Sequence, residues 1–597
     1  MKSLFYLNKY FIKYRWRFLM GILFIIVSNI FAIYPAQVIR VALDMVSDSL
    51  AQYQLLSNTP ASGSYQVLLG RTILIFGVVV LVLALAKGLF LFFTRQTIIV
   101  MSRLIEYDLK NEIYDHYQSL DLAFFKKNST GDLMNRISED VSRVRMYLGP
   151  AVMYTMNLIV LFILVIGVML TVSPLLTFYV LLPLPLLSLS IYYVSNIINV
   201  KSERVQKHLS GLSTFVQESF AGIRVLKAFT LEQERTQDFS EASSKYKEVS
   251  LDLARVNALF MPLMILLIGV STIITVYVGG RLTITGEVTT GNIAEFVIYV
   301  NMLTWPVAAL GWVTSITQRA AASQKRINEF LNQSSEIIGG DSNIKIESGE
   351  IEWKNVSFKY PDSEVFALEN ISFKLKAGES LAITGRTGSG KSTIAQLLLR
   401  LYDITEGSIR IDEHDIKEYK LSNLRRAMGY VPQDAFLFSN TVRSNIEFGL
   451  ETQNPRLDVL KKAADDSDIL NTIQEFEKEW ETKLGERGVN LSGGQKQRMS
   501  MARAFAKQPV VLILDDSLSA VDTETEDRIL RNLDRLMKGR TTIVISHRIS
   551  SLKQSDNVLV LEEGQVIQSG DHQSLIKQEG LYKQLYEQQQ LEQQMQE

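Results

Sequence analysis

The sequence predicts a multidomain membrane protein. A six-helix, all-α transmembrane domain with long cytosolic helix extensions comes first, and an α/β phosphate-loop domain follows. Three observations carry this. Six apolar blocks fall within residues 18–313, each near the roughly 20 residues that a helix needs to cross a bilayer. Past residue 349, short apolar strands alternate with charged helices, the pattern of a soluble α/β unit. A glycine-rich loop at 385–393 stands between an apolar strand and a helix, the context that phosphate binding requires.

Composition sets the limits. The chain has 597 residues, long for one domain, with 62 Lys and Arg against 63 Asp and Glu. No global polybasic field exists, so nucleic acid is a poor partner. There is no cysteine. Disulfides, thiolate nucleophiles, Cys zinc sites and iron–sulfur clusters are therefore excluded.

The apolar blocks run over 18–39, 72–94, 150–172, 175–194, 259–279 and 293–313. So many long blocks with few charges are hard to hide in a soluble core. The first is too long for a signal-peptide core, and five more follow it. The connections alternate in charge. Residues 95–149 carry Arg95, Arg103, Lys110, Lys126, Lys127, Arg136, Arg143 and Arg145. Residues 195–258 carry Lys201, Arg204, Lys207, Arg224, Lys227, Arg235, Lys245 and Lys247. The other connections are poorer in cations. The positive-inside rule places the N-terminus and both long connections in the cytoplasm.

Both long connections keep helical periodicity with few Pro or Gly. Spans two to five are therefore expected to continue into the cytosol and to turn at tips near 115–122 and 217–223. Pro183, Pro185 and Pro306 are expected to kink helices four and six. Lys87 and Glu295 are ionisable groups inside spans, read as snorkelling and as solvated at the interface, respectively. Asn29, Asn157 and Asn301 are further polar residues within the spans.

Residues 332–349 read as a linker between a transmembrane domain at 1–331 and a nucleotide domain at 350–597, because Gln333-Ser334-Ser335, Gly339-Gly340 and Asp341-Ser342 break the apolar pattern. The loop Gly385-Arg386-Thr387-Gly388-Ser389-Gly390-Lys391-Ser392-Thr393 has the G-x-x-x-x-G-K-S spacing. Its glycines let backbone N–H groups close around phosphate oxygens, and the helix N-terminus adds a favourable dipole. Lys391 suits the β- and γ-phosphates of ATP, and the Ser392 hydroxyl suits Mg²⁺. A buried-type strand ends in Leu514-Asp515, and Asp515 offers the same metal a carboxylate through water. Gln433, in Val431-Pro432-Gln433-Asp434, reads as a sensor of metal or water. His547 follows the apolar run Thr542-Ile543-Val544-Ile545 and reads as a contact to the γ-phosphate. Leu491-Ser492-Gly493-Gly494-Gln495 is a second anion nest at a helix start. One ATP does not need two nests in one domain. Two chains facing each other would use them, each nest closing the other chain's site.

In this order and spacing the motifs resemble an ABC exporter of the half-transporter type, as in bacterial multidrug and lipid exporters. The resemblance covers nearly the whole chain. It implies that Tyr360, in Val356-Ser357-Phe358-Lys359-Tyr360, stacks on adenine, and that Asp522, in Ser519-Ala520-Val521-Asp522, belongs to the nucleotide site. It also implies that Gly485-Glu486-Arg487-Gly488 lies near the membrane helices. Phe124-Phe125 with Ser129-Thr130-Gly131-Asp132-Leu133 and Arg136 looks like the first intracellular loop of such exporters. Residues 218–229 look like the second loop, and 319–331 like the stretch joining the last span to the ATPase. The implied cofactors are ATP and Mg²⁺. The implied partners are a lipid bilayer, a second half-transporter chain and an amphipathic or hydrophobic substrate. Tips near His116 and Phe220 would sit in clefts on the ATPase domains, so that ATP-driven closure switches a central cavity from inward- to outward-facing.

One position departs from the family's pattern. The residue after the metal-binding Asp is usually a Glu that polarises the attacking water, and here it is Asp516. A side chain one methylene shorter withdraws the carboxylate by roughly 1 Å, and misplacement on that scale can cost on the order of 10²-fold in rate. The signature is intact. Together these imply a heterodimer, in which this chain's own site is slow and its Ser492 and Gly494 close a partner's fast site. A homodimer in which Asp516 works is the alternative pairing. An ATP-gated or regulatory membrane protein with little transport is the alternative function. A soluble ABC ATPase acting on DNA or ribosomes is at odds with six spans. The Gln-rich tail at 588–597 receives no role.

Overall fold

A computed structural model describes residues 2–56, 62–450, 456–517 and 523–596. The chain divides into two compact units. Met1–Gln118 and Thr130–Gln333 form one; Ser119–Ser129 and Ser334–Glu597 form the other.

The first unit is helical. Six helical stretches are long and apolar enough to cross a membrane: Arg15–Leu50, Gly63–Ser119, Thr130–Val172, Pro174–Ala221, Glu232–Ile284 and Thr290–Leu331. They contain the six apolar blocks and extend well past them. The helix Glu232–Ile284 has 53 residues, about 80 Å at 1.5 Å per residue, against about 30 Å of hydrocarbon. The polar sequence before its apolar block keeps helical period, so the helix continues into water. Its core holds Ile33, Leu161, Val165, Met169, Phe296, Tyr299 and Leu303.

The prolines act by position. Pro183 opens the helix Pro183–Ala221 after a break at Leu182. Its missing N–H and the clash with the carbonyl four residues back end the preceding helix, Pro174–Leu181. Pro185 falls in the first turn of the new helix, where a missing N–H costs little. Pro306 leaves its helix continuous.

Glu295 is not solvated at the interface. It is fully buried. It accepts from the Tyr299 hydroxyl at 2.8 Å, Arg40 Nη1 at 3.2 Å and Asn292 Nδ2 at 3.3 Å. A buried carboxylate is tolerable only with such partners. Asn29 Nδ2 donates to Asn157 Oδ1 at 2.9 Å. Lys87 is exposed.

The first tip lies further along than expected. The helix Val100–Ser119 runs through most of 115–122, and the turn is a short helix, Leu122–Lys127. Nothing at 115–119 stops a helix. Asp121 starts the next one, accepting from the Phe124 N–H at 3.0 Å. The second tip breaks at Gly222, ahead of the helix Ile223–Phe229.

The second unit holds ten strands: β1 (Ile351–Lys359), β2 (Phe366–Leu375), β3 (Ser380–Gly385), β4 (Glu406–Ile411), β5 (His414–Asp415), β6 (Met428–Val431), β7 (Val511–Asp515), β8 (Thr541–Ile545), β9 (Asn557–Glu562) and β10 (Gln565–Gly570). One sheet has the order β2-β1-β4-β5, and the other β10-β9-β3-β8-β7-β6. In the larger sheet β9, β3, β8, β7 and β6 are parallel, and β10 is an antiparallel edge. β3, β7 and β8 are buried along their whole length, as parallel strands covered on both faces must be. Residues 334–349 do not hang free as a linker. Ile346 is buried in the core of this unit and Ile344 packs beside it. Asp412 accepts from the backbone N–H groups of Glu347, Ser348 and Glu350.

Candidate functional site

Parallel register assembles the site. Ile545, the last residue of β8, pairs with Ile383 of β3 and with Asp515 of β7. Val431, the last residue of β6, pairs with Leu514. Four strand ends therefore share one edge, where open α/β sheets bind ligands. The phosphate loop leaves β3 there, Gln433 follows β6, Asp516 follows β7 and His547 follows β8.

The loop needs its glycines. Gly385, Gly388 and Gly390 have φ of 146°, 86° and 93°, which side chains rarely adopt. A Cβ on Gly385 would meet the Leu561 carbonyl oxygen at 2.0 Å, and one on Gly390 would meet that of Ala367 at 2.4 Å. Ser389 is buried, and its N–H donates to the Arg386 carbonyl at 3.2 Å. Arg386 Nε lies 3.8 Å from Glu562 Oε1, and Thr387 is exposed. The helix Lys391–Leu398 follows. Lys391 Nζ donates to the carbonyls of Gly385 at 2.9 Å and Arg386 at 2.8 Å. Burial pushes its ammonium below the usual value, with the Asp516 and Asp515 carboxylates pulling the other way. A phosphate there would supply the compensation that burial removes.

Asp515 is buried, and burial raises its carboxyl against the hydrogen bonds that hold it. Ser392 Oγ donates to its Oδ1 at 2.9 Å, and the Tyr430 hydroxyl to its Oδ2 at 3.3 Å. A hydroxyl beside a desolvated carboxylate is an all-oxygen donor set that fits a hard divalent cation such as Mg²⁺. Asp516 sits at φ 47°, a region that Asp tolerates better than most residues. Its N–H donates to the Ile545 carbonyl at 2.8 Å. His547 Nδ1 meets Asp516 Oδ1 at 2.8 Å, and Gln433 Nε2 donates to Oδ2 at 3.4 Å. The hydrogen bond to Asp516 raises His547 above the ordinary imidazole value. Gln433, Asp516 and His547 are thus one contact chain beside Lys391 and Asp515.

Tyr360 also reaches this edge. Its hydroxyl bonds Thr393 Oγ1 at 3.0 Å and Gln396 Oε1 at 3.2 Å. Lys126 Nζ lies 4.9 Å from the centre of its ring. The sequence reading missed Tyr430 and Lys126. Tyr430 sits one residue before the end of a four-residue strand, and Lys126 is one cation among many, so neither carries a motif.

Ser492 and Gln495 stand on the helix Gly493–Ala506 and bond each other. Ser492 Oγ accepts from Gln495 N at 3.2 Å, and Gln495 Oε1 accepts from Ser492 N at 3.0 Å, a capping box. Among the described residues, none of their hydrogen bonds reaches the phosphate loop. The nest with Gly493 and Gly494 is therefore not joined to the Lys391 group through these side chains. Asp522, with Ser519, Ala520 and Val521, lies outside the described residues.

Comparison with known proteins follows these two halves. Residues 18–307 match the ABC transporter transmembrane region, and residues 368–519 match the ABC transporter domain. The probable multidrug resistance ABC transporter ATP-binding/permease protein YheI of Bacillus subtilis is 33% identical over 98% of this chain and 97% of its own length. The multidrug resistance-like ATP-binding protein MdlA of Escherichia coli is 36% identical over 81% of this chain and 82% of its own. The ATP-dependent lipid A-core flippase of Syntrophus aciditrophicus is 34% identical over 85% of this chain and 84% of its own. The fold is shared with a bacterial Atm1-family ABC exporter solved with ATP bound, at a TM-score of 0.75 and 24% identity over 96% of this chain and 99% of that one.

Proposed function

The chain belongs to the ABC transporter family, and from that premise we propose that it exports or flips amphipathic or hydrophobic small molecules or lipids across the cytoplasmic membrane, using ATP. One observation carries the reading. Lys391, Ser392, Gln433, Asp515, Asp516 and His547 meet at one sheet edge on a chain with six membrane-length helices. The relatives named for multidrug resistance and lipid A-core flipping support the substrate class.

The residues divide the work. The loop 385–393 cradles the phosphates, Lys391 trades its carbonyl partners for phosphate oxygens, and Tyr360 offers its ring to adenine. Ser392, Asp515 and Gln433 hold Mg²⁺, which offsets charge on the phosphate oxygens when bound. Gln433 orients the attacking water, and Asp516 accepts its proton. His547 holds Asp516 through Nδ1 and turns its other ring nitrogen to the γ-phosphate. The nest at Ser492–Gln495 completes a second chain's site. Two chains thus alternate the access of a cavity between two sets of six helices, with the N-terminus and the nucleotide unit in the cytoplasm.

The second tip supports a pair. Phe220, Ile223, Val225 and Phe229 are 73%, 45%, 57% and 71% exposed. Phe436, Phe438 and Phe448 form an exposed aromatic group soon after Gln433, suited to receive such a tip from another chain. Asp516 supports an asymmetric pair in which this chain's site is the slow one.

Transport is tested in inverted vesicles from the chain's own host. A fluorescent amphipathic dye should accumulate against its gradient only with ATP, and Lys391→Ala combined with Gly494→Asp, which disables both this chain's own site and the nest that closes a partner's site, should abolish this. Accumulation that survives the double substitution would overturn the reading. ATP binding without accumulation would favour a gate. If the short carboxylate limits hydrolysis, Asp516→Glu should raise the turnover of this chain's own site by about 10-fold or more. No gain would remove the slow-site argument.

A further inference from the structure

The helix Leu581–Gln596 packs through Leu581, Tyr582, Leu585 and Tyr586 on Ile549 and Leu552. From that base Gln589 reaches the segment that carries His547. Its Nε2 donates to the His547 carbonyl at 2.6 Å, and its Oε1 accepts from the Ile549 N–H at 2.8 Å. One carboxamide therefore bridges the two backbone groups that flank Arg548. Ile549 opens a short helix, Ile549–Leu552, whose N-cap Arg548 makes no side-chain cap. Gln589 supplies from another element the acceptor that this helix start lacks. On the other side, the Ser546 N–H donates to the Ile383 carbonyl at 3.1 Å, and Ser546 Oγ accepts from the Arg548 N–H at 3.0 Å. The backbone is held on both sides of His547 while the imidazole meets Asp516 at 2.8 Å.

We propose that Gln589 is a positioning residue for ATP hydrolysis: its carboxamide clamps the backbone around Arg548 and so aims the His547 ring at Asp516. The inference rests on the reading of His547 as part of the ATP site. Without the clamp, residues 546–549 keep their strand-side bonds at Ser546 but lose both bonds from the tail helix. The ring then samples other directions. The motif that carries His547 is thus completed by a residue about forty positions away (a Gln among many Gln), invisible to any local pattern.

The test uses the full-length transporter assembled in membranes of its own host, with ATP limiting so that slow and fast sites give separate phases. The phase of this chain's site is the one that Lys391→Ala removes. Gln589→Leu keeps the packing and removes the clamp. It should lower the rate constant of that phase by about 10-fold, the scale of the two hydrogen bonds lost. The ATP concentration for half-saturation should stay within about two-fold, because the phosphate loop is untouched. In a His547→Ala background, Gln589→Leu should cause no further fall. Amide exchange at Ile549 should quicken while Val511–Asp515 and Thr541–Ile545 stay protected, which separates a lost clamp from an unfolded unit. An equal fall on top of His547→Ala would make Gln589 a merely stabilising residue and overturn the proposal. So would an unchanged phase, or unchanged exchange at Ile549. If Lys391→Ala removes no phase, the ATP-site reading falls and takes this inference with it; a failure confined to Gln589 leaves that reading standing.

Discussion

The two helical turns that join the long membrane helices, at 119–129 and 222–230, are built alike and end differently. The helix Leu122–Lys127 is capped by Asp121, which also accepts from the Glu336 N–H at 2.8 Å and the Ser335 hydroxyl at 3.2 Å. Leu122 and Ala123 pack on the core of the nucleotide unit, and Lys126 lies over Tyr360. The helix Ile223–Phe229 has no side-chain cap at Gly222 and ends at Thr230 with φ 57°. Its apolar side chains and Phe220 are exposed. Exposed clusters of large apolar residues mark interaction surfaces. The first turn is satisfied within its own chain, and the second leaves its apolar side chains open, as the proposed pairing with another chain requires.

Substitutions can break or sharpen that contrast. The largest effect is expected at the second turn. Phe220→Asp should leave the thermal stability of the single chain nearly unchanged, as exposed substitutions do. It should cut transport by about 10-fold or more, as loss of a buried aromatic anchor does. A fall in single-chain stability, or normal vesicle transport, would erase the difference between the turns. Asp121→Ala comes next. It removes a helix cap worth about 1 kcal/mol and the bonds to Ser335 and Glu336, so the nucleotide unit should unfold a few degrees earlier on heating. The smallest effect compares two lysines. Lys126→Ala frees the Tyr360 ring and should tighten ATP binding by about two-fold, the low end of a cation–π contact. Lys227, which pairs with Glu232 at 2.9 Å, should give no change when replaced by Ala. A titration with a fluorescent nucleotide reads both.

Much of the site was legible in the sequence, residue by residue. Gly385, Gly388 and Gly390 announce themselves through the spacing of the loop; the structure gives the reason, a φ that side chains rarely adopt at all three and a close carbonyl at Gly385 and Gly390. Ser492 announces itself because a Ser followed by two glycines at a helix start is a local anion nest. Glu295 was misread for the opposite reason. Its polar partners Arg40, Asn292 and Tyr299 include one from a different helix, far away in the chain, and no window holds both. Residues 334–349 look polar and glycine-rich, yet Ile346 finds a core supplied by strands later in the sequence. The first tip was placed short because the stop signal is not a helix breaker at 115–119 but a helix starter, Asp121.

Length, period and motif are properties of neighbouring residues, so the sequence alone determined the six spans, the helices that outrun the bilayer, the phosphate loop and the identities of its acid, glutamine and histidine partners. Tertiary structure decided which of them touch. The parallel order β3-β8-β7-β6 sets four distant strand ends on one edge, which brings His547 and Gln433 onto the same carboxylate of Asp516. The pairing of Glu295 with Arg40, the seat of Lys126 over Tyr360 and the hold of Gln589 on the His547 backbone were decided the same way. Each of these depends on a contact between residues far apart in the chain. Such a contact forms only when burial and backbone register together fix where the two elements meet.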